Sequence, residues 1–262
     1  MKDLFSLAGR TALVTGGSRG IGKMIALGMI AYGARVYISS RKAAVCEATA
    51  KELSRDGFCA ALPADSSTLE GIQALTKAYC EREKKLDILV NNAGVTWLAH
   101  FDGFPEKGWN KVMDLNVKTP FFLTQALHGA LKAAAMHERP AKVINVASVD
   151  GVGINPLETY SYAASKAGII HLTKRMALTL IADNIVVSAI APGAFQSDMN
   201  IAARDHPAEV ASRIPAKRIG RDEDMAGAAI YLASRAGDYV VGSTIVVDGG
   251  VVYQMNSPSN AP

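Results

Sequence analysis

The amino-acid sequence predicts a single-domain α/β protein, built on a doubly wound parallel sheet of about seven strands with helices on both faces. Short apolar runs rich in β-branched residues alternate with longer stretches of helical spacing, which is typical of strands covered on both faces. The 262 residues also contain no low-complexity tract or repeat that would divide them. We therefore expect one domain over residues 1–250 and a C-terminal tail at 251–262.

The predicted strands and helices alternate along the chain. Strands are expected at Arg10–Thr15, Arg35–Ser39, Phe58–Pro63, Leu86–Val90, Lys142–Val146, Ile185–Ile190 and Thr244–Val247. Helices are expected at Ile21–Tyr32, Ala43–Asp56, Leu69–Lys84, Glu106–Leu131 (broken once), Tyr160–Ala182 and Asp222–Ala233. The long proline-containing connection at 195–220 is typical of a mobile functional loop, and we expect it to cover the substrate.

Charge and cysteine content exclude several classes of protein. A net charge of +4 is too small to indicate nucleic-acid binding. Residues 1–46 contain seven bases and one acid, a charge of +6 that leaves −2 for the rest, so an anionic ligand is expected there. Three cysteines without CxxC spacing favour a reducing, cytoplasmic location. No signal peptide, membrane segment or metal-binding histidine pattern is evident, so we expect no membrane partner and no metal.

A glycine-rich turn, TGGSRGIGK at Thr15–Lys23, joins the first strand to the first helix. It nearly matches a P-loop, but Met24 replaces the Ser or Thr that would hold Mg²⁺. It also fits the hydrolase elbow G-x-S-x-G around Ser18, with His171 or His206 as base, although that elbow normally lies deeper in the sheet. A dinucleotide cradle is favoured, because glycines let the backbone approach a phosphate at a helix N-terminus. By itself, the turn could also be purely structural.

Further motifs make the dinucleotide interpretation specific. In chain order they are T-G-x-x-x-G-I-G at Thr15–Gly22, NNAG at Asn91–Gly94, Ser148, Y-x-x-x-K at Tyr162–Lys166, Pro192-Gly193 and VVDGG at Val246–Gly250. Together they resemble the short-chain dehydrogenase/reductase family, which has a Rossmann-type fold. Within it, the chain is most similar to the NADPH-dependent 3-oxoacyl-thioester (β-ketoacyl) reductase group. The resemblance implies an enzyme that interconverts a ketone and a secondary alcohol.

The resemblance assigns catalytic roles to Asn116, Ser148, Tyr162 and Lys166. Tyr162 would protonate the carbonyl oxygen, Ser148 would hydrogen-bond to it, and Lys166 would hold the nicotinamide ribose. Asn116 would bend its helix and anchor a proton-relay water. Tyr162 and Lys166 are four apart on one predicted helix, so they share a face, and the ammonium is expected to lower the pKa of the phenol. Tyr160 lies on a different face.

The resemblance also implies a set of coenzyme-binding residues. They are Gly16, Ser18, Arg19, Gly20, Ile21, Gly22, Ser40, Arg41, Asp65, Ser66, Asn92, Ala93, Gly94, Tyr162, Lys166, Pro192, Gly193, Phe195 and Ser197. NADP(H) is expected over NAD(H), because Ser40 stands where NAD-binding relatives carry an acid, and Arg41 follows it. Arg41 can bind a 2′-phosphate, and no acid between Asp3 and Glu47 would repel one.

The substrate is expected to lie against Ser148, Val149, Tyr162 and Phe195. We expect a 3-oxoacyl group carried on CoA or acyl carrier protein, or a related ketone. Loop cations could meet the carrier's phosphate, although a solvated basic loop is the more usual outcome; they are Arg204, Arg213, Lys217, Arg218 and Arg221. The alternatives are an NADP-dependent sugar or polyol dehydrogenase and a non-enzymatic NADP(H)-binding regulator. By resemblance, a homotetramer is expected through the helix at 160–182 and the last strand.

Overall fold

One parallel sheet of seven strands, in the order β3-β2-β1-β4-β5-β6-β7, runs through the computed structural model, which describes residues 3–256. The strands are β1 (Thr11–Thr15), β2 (Arg35–Ser39), β3 (Cys59–Ala61), β4 (Ile88–Asn91), β5 (Ala141–Val146), β6 (Ile185–Pro192) and β7 (Thr244–Val247). The chain builds outward from β1 to β3 and then crosses to β4 on the other side of β1. Ligands of such sheets bind at this reversal, beyond the carboxyl ends of the strands.

Helices cover both faces of the sheet and enclose a separate apolar core on each. They are α1 (Gly20–Ala31), α2 (Ala43–Leu53), α3 (Leu69–Cys80), α4 (Glu106–Met113), α5 (Thr119–Ala126), α6 (His128–Ala134), α7 (Tyr160–Leu180), α8 (Ile201–Asp205), α9 (Pro207–Ser212), α10 (Asp222–Ala233) and α11 (Val251–Asn256). One core contains Ile25 and Met29 of α1 with Ile230 of α10. The other contains Leu75 of α3 and Leu123 of α5. This arrangement confirms the predicted fold class.

The predicted strands are all present, with ends that differ by one or two residues. The helix predicted at 106–131 is interrupted by a π-helical turn, Asp114–Lys118, and ends as the separate helix α6. Pro120, at the start of α5, lacks the N–H that a regular helix would direct to the carbonyl of Asn116. A proline therefore accompanies the interruption that the sequence analysis expected.

Some segments differ from the sequence-based expectation. The helices predicted to end at Asp56 and Lys84 end at Leu53 and Cys80. The connection at 195–220 contains the short helices α8 and α9, which are too brief to give a periodic sequence pattern. The predicted tail begins with the helix α11, and its remainder, 257–262, lies outside the described residues. Among residues 3–256, none of the helices is long and apolar enough to span a bilayer.

Buried cations lie at the amino-terminal edge of the sheet, opposite the ligand-binding edge. Arg10 is 2% exposed and donates hydrogen bonds to the carbonyls of Pro140 (3.1 Å) and Ala233 (3.4 Å). The Lys142 side chain is 1% exposed, and its Nζ lies 2.7 Å from Oδ1 of Asp238. Burial lowers the pKa of both cations, and the charge of Asp238 opposes that shift. The carboxylate of Asp238 therefore offsets part of the free-energy cost of burying these two positive charges.

Candidate active site

The glycine-rich turn lies at the carboxyl end of β1 and leads directly into α1. Gly16 (φ +65°) and Gly20 (φ +51°) adopt the left-handed conformation that glycine tolerates. A Cβ on Gly22 would lie 2.3 Å from the carbonyl oxygen of Gly16, so the turn has no room for a side chain at this position. No side chain caps the N-terminus of α1 at Arg19. The N–H groups of its first turn are therefore available to an anion.

Hydrogen bonds hold the NNAG segment against this turn. Oγ1 of Thr15 accepts from the backbone N–H groups of Asn92 (3.0 Å) and Ala93 (3.1 Å). The side-chain amide of Asn92 donates to the carbonyl of Thr15 over 2.9 Å. Sequence reasoning did not include Thr15 among the site residues, although it is the threonine of the T-G-x-x-x-G-I-G motif. Gly94 completes the segment, and a Cβ there would lie 3.8 Å from Nζ of Lys166.

The carboxyl ends of β2 and β3 present the residues predicted to meet the adenosine half of a coenzyme. Oγ of Ser40 is buried and has no hydrogen-bond partner, whereas Arg41 is exposed and forms no ion pair within residues 3–256. Oδ1 of Asp65 accepts from the N–H of Ser67 over 3.1 Å, and the carbonyl of Ser66 accepts from Thr119 over 2.6 Å. An unpartnered hydroxyl beside an unpaired guanidinium fits a phosphorylated ribose.

Ser148, Tyr162 and Lys166 converge at the carboxyl end of β5. Ser148 follows that strand, and its side chain lies close enough to the phenol of Tyr162 on α7 to act against the rise in the pKa of that phenol. Nζ of Lys166 lies 5.5 Å from the centroid of the Tyr162 ring and donates to the carbonyl of Val146 over 2.8 Å. Tyr160 is exposed and bonds instead to Glu158, as its different helix face predicts. The sequence-predicted catalytic side chains therefore form one cluster.

Asn116 joins this cluster from the π-helical turn. Its side chain pairs with the backbone of Val95, accepting from the N–H and donating to the carbonyl, each over 2.9 Å. Its amide also donates to Oγ of Ser165 over 3.0 Å, and Ser165 donates to the carbonyl of Tyr162 over 2.7 Å. Asn116 thus ties the segment after β4 to the first turns of α7. Ser165 was not predicted, because nothing in the sequence distinguishes it from an ordinary helix residue.

Burial dominates the titration of the two ionisable catalytic side chains. It raises the pKa of Tyr162 to about 12, while the hydrogen bond from Ser148 acts in the opposite direction. It lowers the pKa of Lys166 to about 8. The expected lowering of this pKa by Lys166 is not found among the described residues: desolvation of the phenolate has the largest effect, and the charge that acts on the phenol is that of Asp150. A protonated Tyr162 suits a proton donor.

The loop after β6 lies over the glycine-rich turn. A Cβ on Gly20 would lie 3.1 Å from Cβ of Ser197, and Arg19 forms an ion pair with Asp198, which also pairs with Arg204 over 3.0 Å. Arg19 is thus already held by this loop, whereas Arg41 is unpaired within the described chain. Pro192 and Gly193 lead into the loop, and the N–H of Gly193 donates to Val247 over 2.9 Å.

Two predicted substrate-contact residues are buried. The ring of Phe195 is 3% exposed in the apolar core, and a Cβ on Gly220 would lie 2.3 Å from it. The expected contact between Phe195 and a substrate stays a prediction. Val149 is 6% exposed. Ser148 and Lys166 are buried to the same degree, at 7% and 5% exposure, so the contact of Val149 with a substrate also stays a prediction.

The competing interpretations of the glycine-rich turn find no support in the structure. Met24 lies in the core, where a Mg²⁺-binding hydroxyl would be needed for a P-loop. Ser18 is 8% exposed, while His171 and His206 are both exposed. Ile21 is partly buried against the core, which fixes the start of α1. Within residues 3–256, no group of three or more His, Cys, Asp or Glu side chains is arranged to hold a metal ion.

Comparison with known proteins places this site in a family. A family profile described as "Enoyl-(Acyl carrier protein) reductase" matches residues 16–252. The chain is 46% identical over 253 residues to a rhamnolipids biosynthesis 3-oxoacyl-[acyl-carrier-protein] reductase of Pseudomonas aeruginosa, covering 95% of this chain and 99% of the relative. It is 37% identical over 258 residues to 5-keto-D-gluconate 5-reductase of Escherichia coli, covering 96% and 99%.

Solved structures give the same result. The Pseudomonas aeruginosa RhlG/NADP active-site complex superposes with a TM-score of 0.93 at 46% identity, covering 96% of this chain and 100% of that chain. A gluconate 5-dehydrogenase from Burkholderia cenocepacia, in complex with NADP and tartrate, gives a TM-score of 0.88 at 33% identity, covering 96% and 98%. With the glycine-rich turn, NNAG, Ser148 and the Tyr162–Lys166 pair in one cleft, the chain belongs to the short-chain dehydrogenase/reductase family.

Proposed function

We propose that this protein is an NADPH-dependent carbonyl reductase that converts the ketone of a 3-oxoacyl thioester into a secondary alcohol. The observation that carries the proposal is that Ser148, Tyr162 and Lys166 lie together at the sheet edge that also holds the glycine-rich turn. A purely regulatory NADP(H)-binding protein would need the turn but not this cluster. An enzyme that reduces a carbonyl needs both the glycine-rich turn and this cluster of side chains.

The residues of the cleft fit NADPH. The uncapped N-terminus of α1 would hold the pyrophosphate, and Ser40 with Arg41 would hold the 2′-phosphate. Asp65, Ser66 and the NNAG segment would line the adenosine half, and Ser197 would meet the carboxamide. When bound, NADPH supplies the hydride that reduces the carbonyl carbon.

Tyr162 and Ser148 act on the carbonyl oxygen of the substrate. Both hydroxyls can donate to the oxygen as negative charge develops there, which stabilises the transition state. Tyr162 then transfers its proton to that oxygen, and the product is a neutral alcohol. Lys166 would hold the nicotinamide ribose, and the backbone-bound Asn116 keeps α7 and the segment after β4 at a fixed distance. The proton lost by Tyr162 is replaced from solvent.

The relatives support a thioester substrate and retain a sugar as the second candidate. The Pseudomonas relative is named a 3-oxoacyl-[acyl-carrier-protein] reductase, and the Escherichia relative a keto-gluconate reductase. Most loop cations are neutralised locally: Arg204 pairs with Asp205 over 2.7 Å and Arg213 with Glu209 over 2.7 Å. Arg218 likewise pairs with Asp224. The loop therefore offers a carrier little unpaired positive charge, and we propose that the acyl part of the thioester is the part recognised.

The direct test is the initial rate of NADPH oxidation with acetoacetyl-CoA. We expect a saturable rate, and the same assay with 5-keto-D-gluconate measures the sugar alternative. Catalysis of the keto-gluconate alone would replace the thioester proposal. NADPH binding without turnover of any ketone in a panel of thioesters, sugars and diketones would favour the regulator.

The coenzyme preference is expected to depend on Arg41. Arg41→Ala removes a charge-assisted contact with the 2′-phosphate, so kcat/KM for NADPH should fall about tenfold to a hundredfold while that for NADH stays nearly constant. Lys51→Ala, which removes an exposed cation of the following helix α2, is the control and should change neither value. An unchanged NADPH/NADH ratio in Arg41→Ala would contradict the assignment.

We further propose that the protein is a cytoplasmic homotetramer. Exposed residues form a stripe along α7, with the small Ala164 and Ala167 at its centre and Leu178, 71% exposed, towards its end. The edge strand β7 also exposes Val246. A helix face and an open sheet edge of this kind suit self-association. Light scattering should give four times the 27.7 kDa of one chain, and a monomer would refute the proposal.

A further inference from the structure

A carboxylate lies in the candidate active site with no role in the steps above. Asp150 belongs to a 3₁₀ turn, Val149–Gly151, and its N–H donates to Oγ of Ser148 over 3.2 Å. This turn lies directly against α7, because a Cβ on Gly151 would lie 2.5 Å from the carbonyl oxygen of Lys166. Asp150 is therefore part of the same cluster as the catalytic side chains.

The charge of Asp150 acts on both ionisable catalytic groups. It raises the pKa of Tyr162 and that of Lys166, and the ammonium of Lys166 in turn lowers the pKa of Asp150, which burial raises. Among the ionisable groups of residues 3–256, Asp150 is the one whose charge shifts the pKa of either catalytic side chain. A change at Asp150 thus alters the electrostatic field in which the reaction occurs.

Asp150 is also more accessible than the lysine that balances it. Lys166 is 5% exposed, and its ammonium faces the carbonyl of Val146, whereas Asp150 is half-buried. The side-chain amide of Asn155 donates to the two carboxylate oxygens over 3.3 and 3.5 Å. This neutral amide orients the carboxylate without cancelling its charge. A molecule bound at Ser148 and Tyr162 therefore lies in the field of this negative charge, which already acts on Tyr162 and Lys166.

We propose that Asp150 is a specificity-determining residue that selects against substrates with a negative charge near the reacting carbonyl. This inference rests on the proposed reductase function and deepens it. Like charges that are partly shielded from water repel each other, so a ketone with a nearby carboxylate is disfavoured. A 3-oxoacyl thioester is neutral at that place, whereas a free 3-oxo acid is not. Asp150 therefore restricts the site to esterified or otherwise neutral ketones.

A matched pair of substrates tests the proposal. Ethyl acetoacetate and acetoacetate have the same ketone and differ in the charge two carbons away. We expect wild type to prefer the ester, and Asp150→Asn to reduce the ester-to-acid ratio of kcat/KM at least about tenfold, mainly by improving the acid. Asp150→Glu keeps the charge and should keep most of the preference. Glu158→Gln removes a carboxylate at the rim of the same loop and is the control that should change little.

A binding measurement separates this inference from the proposed reaction. Calorimetric titration of acetoacetate into the protein with NADP⁺ requires no turnover. We expect affinity at least about tenfold higher in Asp150→Asn than in wild type or Asp150→Glu. This result without reduction of any ester or thioester would keep the charge selection and overturn the proposed function. If esters are reduced but wild type and Asp150→Asn show equal ester-to-acid ratios and equal affinities for acetoacetate, the proposed function stands and the charge selection by Asp150 is overturned.

Discussion

Tyr162→Phe is expected to reduce the rate of ketone reduction about a thousandfold or more. The substitution removes the hydroxyl that is proposed to transfer the proton, but it keeps the aromatic ring beside Lys166. General acid catalysis by a positioned group typically contributes a factor of about a hundred to ten thousand. Since the phenol oxygen reaches the substrate rather than the adenosine half of the coenzyme, NADPH affinity should stay within a few-fold. Steady-state kinetics and fluorescence titration with NADPH measure the two quantities.

The chain supplies its own control for this experiment. Tyr160 lies two residues earlier on α7, is 39% exposed and bonds to Glu158 rather than to the catalytic cluster. Tyr160→Phe removes the same hydroxyl from the same helix, so its turnover should stay close to that of wild type. Retained turnover in Tyr162→Phe, or an equal loss in both variants, would overturn the assignment of the proton donor.

Asp238→Ala is expected to lower the free energy of unfolding by about 3–5 kcal/mol. The side chain of Lys142 is 1% exposed, so its ammonium would stay buried without the carboxylate that now lies 2.7 Å away. Arg10 would lose the same attraction, because Asp238 also raises its pKa. Denaturant unfolding followed by circular dichroism measures the change. Coenzyme binding at the opposite edge of the sheet should persist in the folded variant.

A surface ion pair of similar length controls for the effect of burial. Asp183 lies 2.6 Å from Nζ of Lys132, but the side chain of Lys132 is 61% exposed. Asp183→Ala should therefore lower the free energy of unfolding much less than Asp238→Ala does. The double substitution Lys142→Met with Asp238→Ala removes both charges and should recover much of the loss. Equal losses for Asp183→Ala and Asp238→Ala would show that burial of Lys142 is unimportant.

Much of the fold and the core of the site follow from sequence, because they depend on short-range patterns. Strands buried on both faces need continuous apolar runs, and the strand ends were predicted within two residues. Gly16, Gly20 and Gly22 are required by backbone conformation or contact, so they leave a visible signature. The i, i+4 spacing of Tyr162 and Lys166 fixes their common helix face. The Ser148–Tyr162 contact came from family resemblance rather than from spacing.

Other features could not be predicted, because they depend on burial and long-range contacts. The direction of the Tyr162 pKa shift required knowledge of how deeply the phenol is buried. The burial of Phe195 was not evident from the sequence, because only the folded chain shows that Gly220 leaves space for its ring in the core. The pairing of Arg19 with Asp198 joins residues far apart in sequence. Asp150 and Ser165 have no motif of their own, and they gain significance from neighbours on other elements.

The π-helical turn at Asp114–Lys118 changes the rotational phase of the long connection between β4 and β5. A turn widened by one residue rotates everything beyond it by about 100° relative to an uninterrupted α-helix. The face of α4 that carries Trp109, which packs against Phe104, is therefore set independently of the face of α5 that buries Leu123. The side chain of Asn116 hydrogen-bonds to both the N–H and the carbonyl of Val95, and these two bonds fix the position of the π-helical turn. Removal of a single residue here would misalign one of the two faces, even though every helix-forming residue remained.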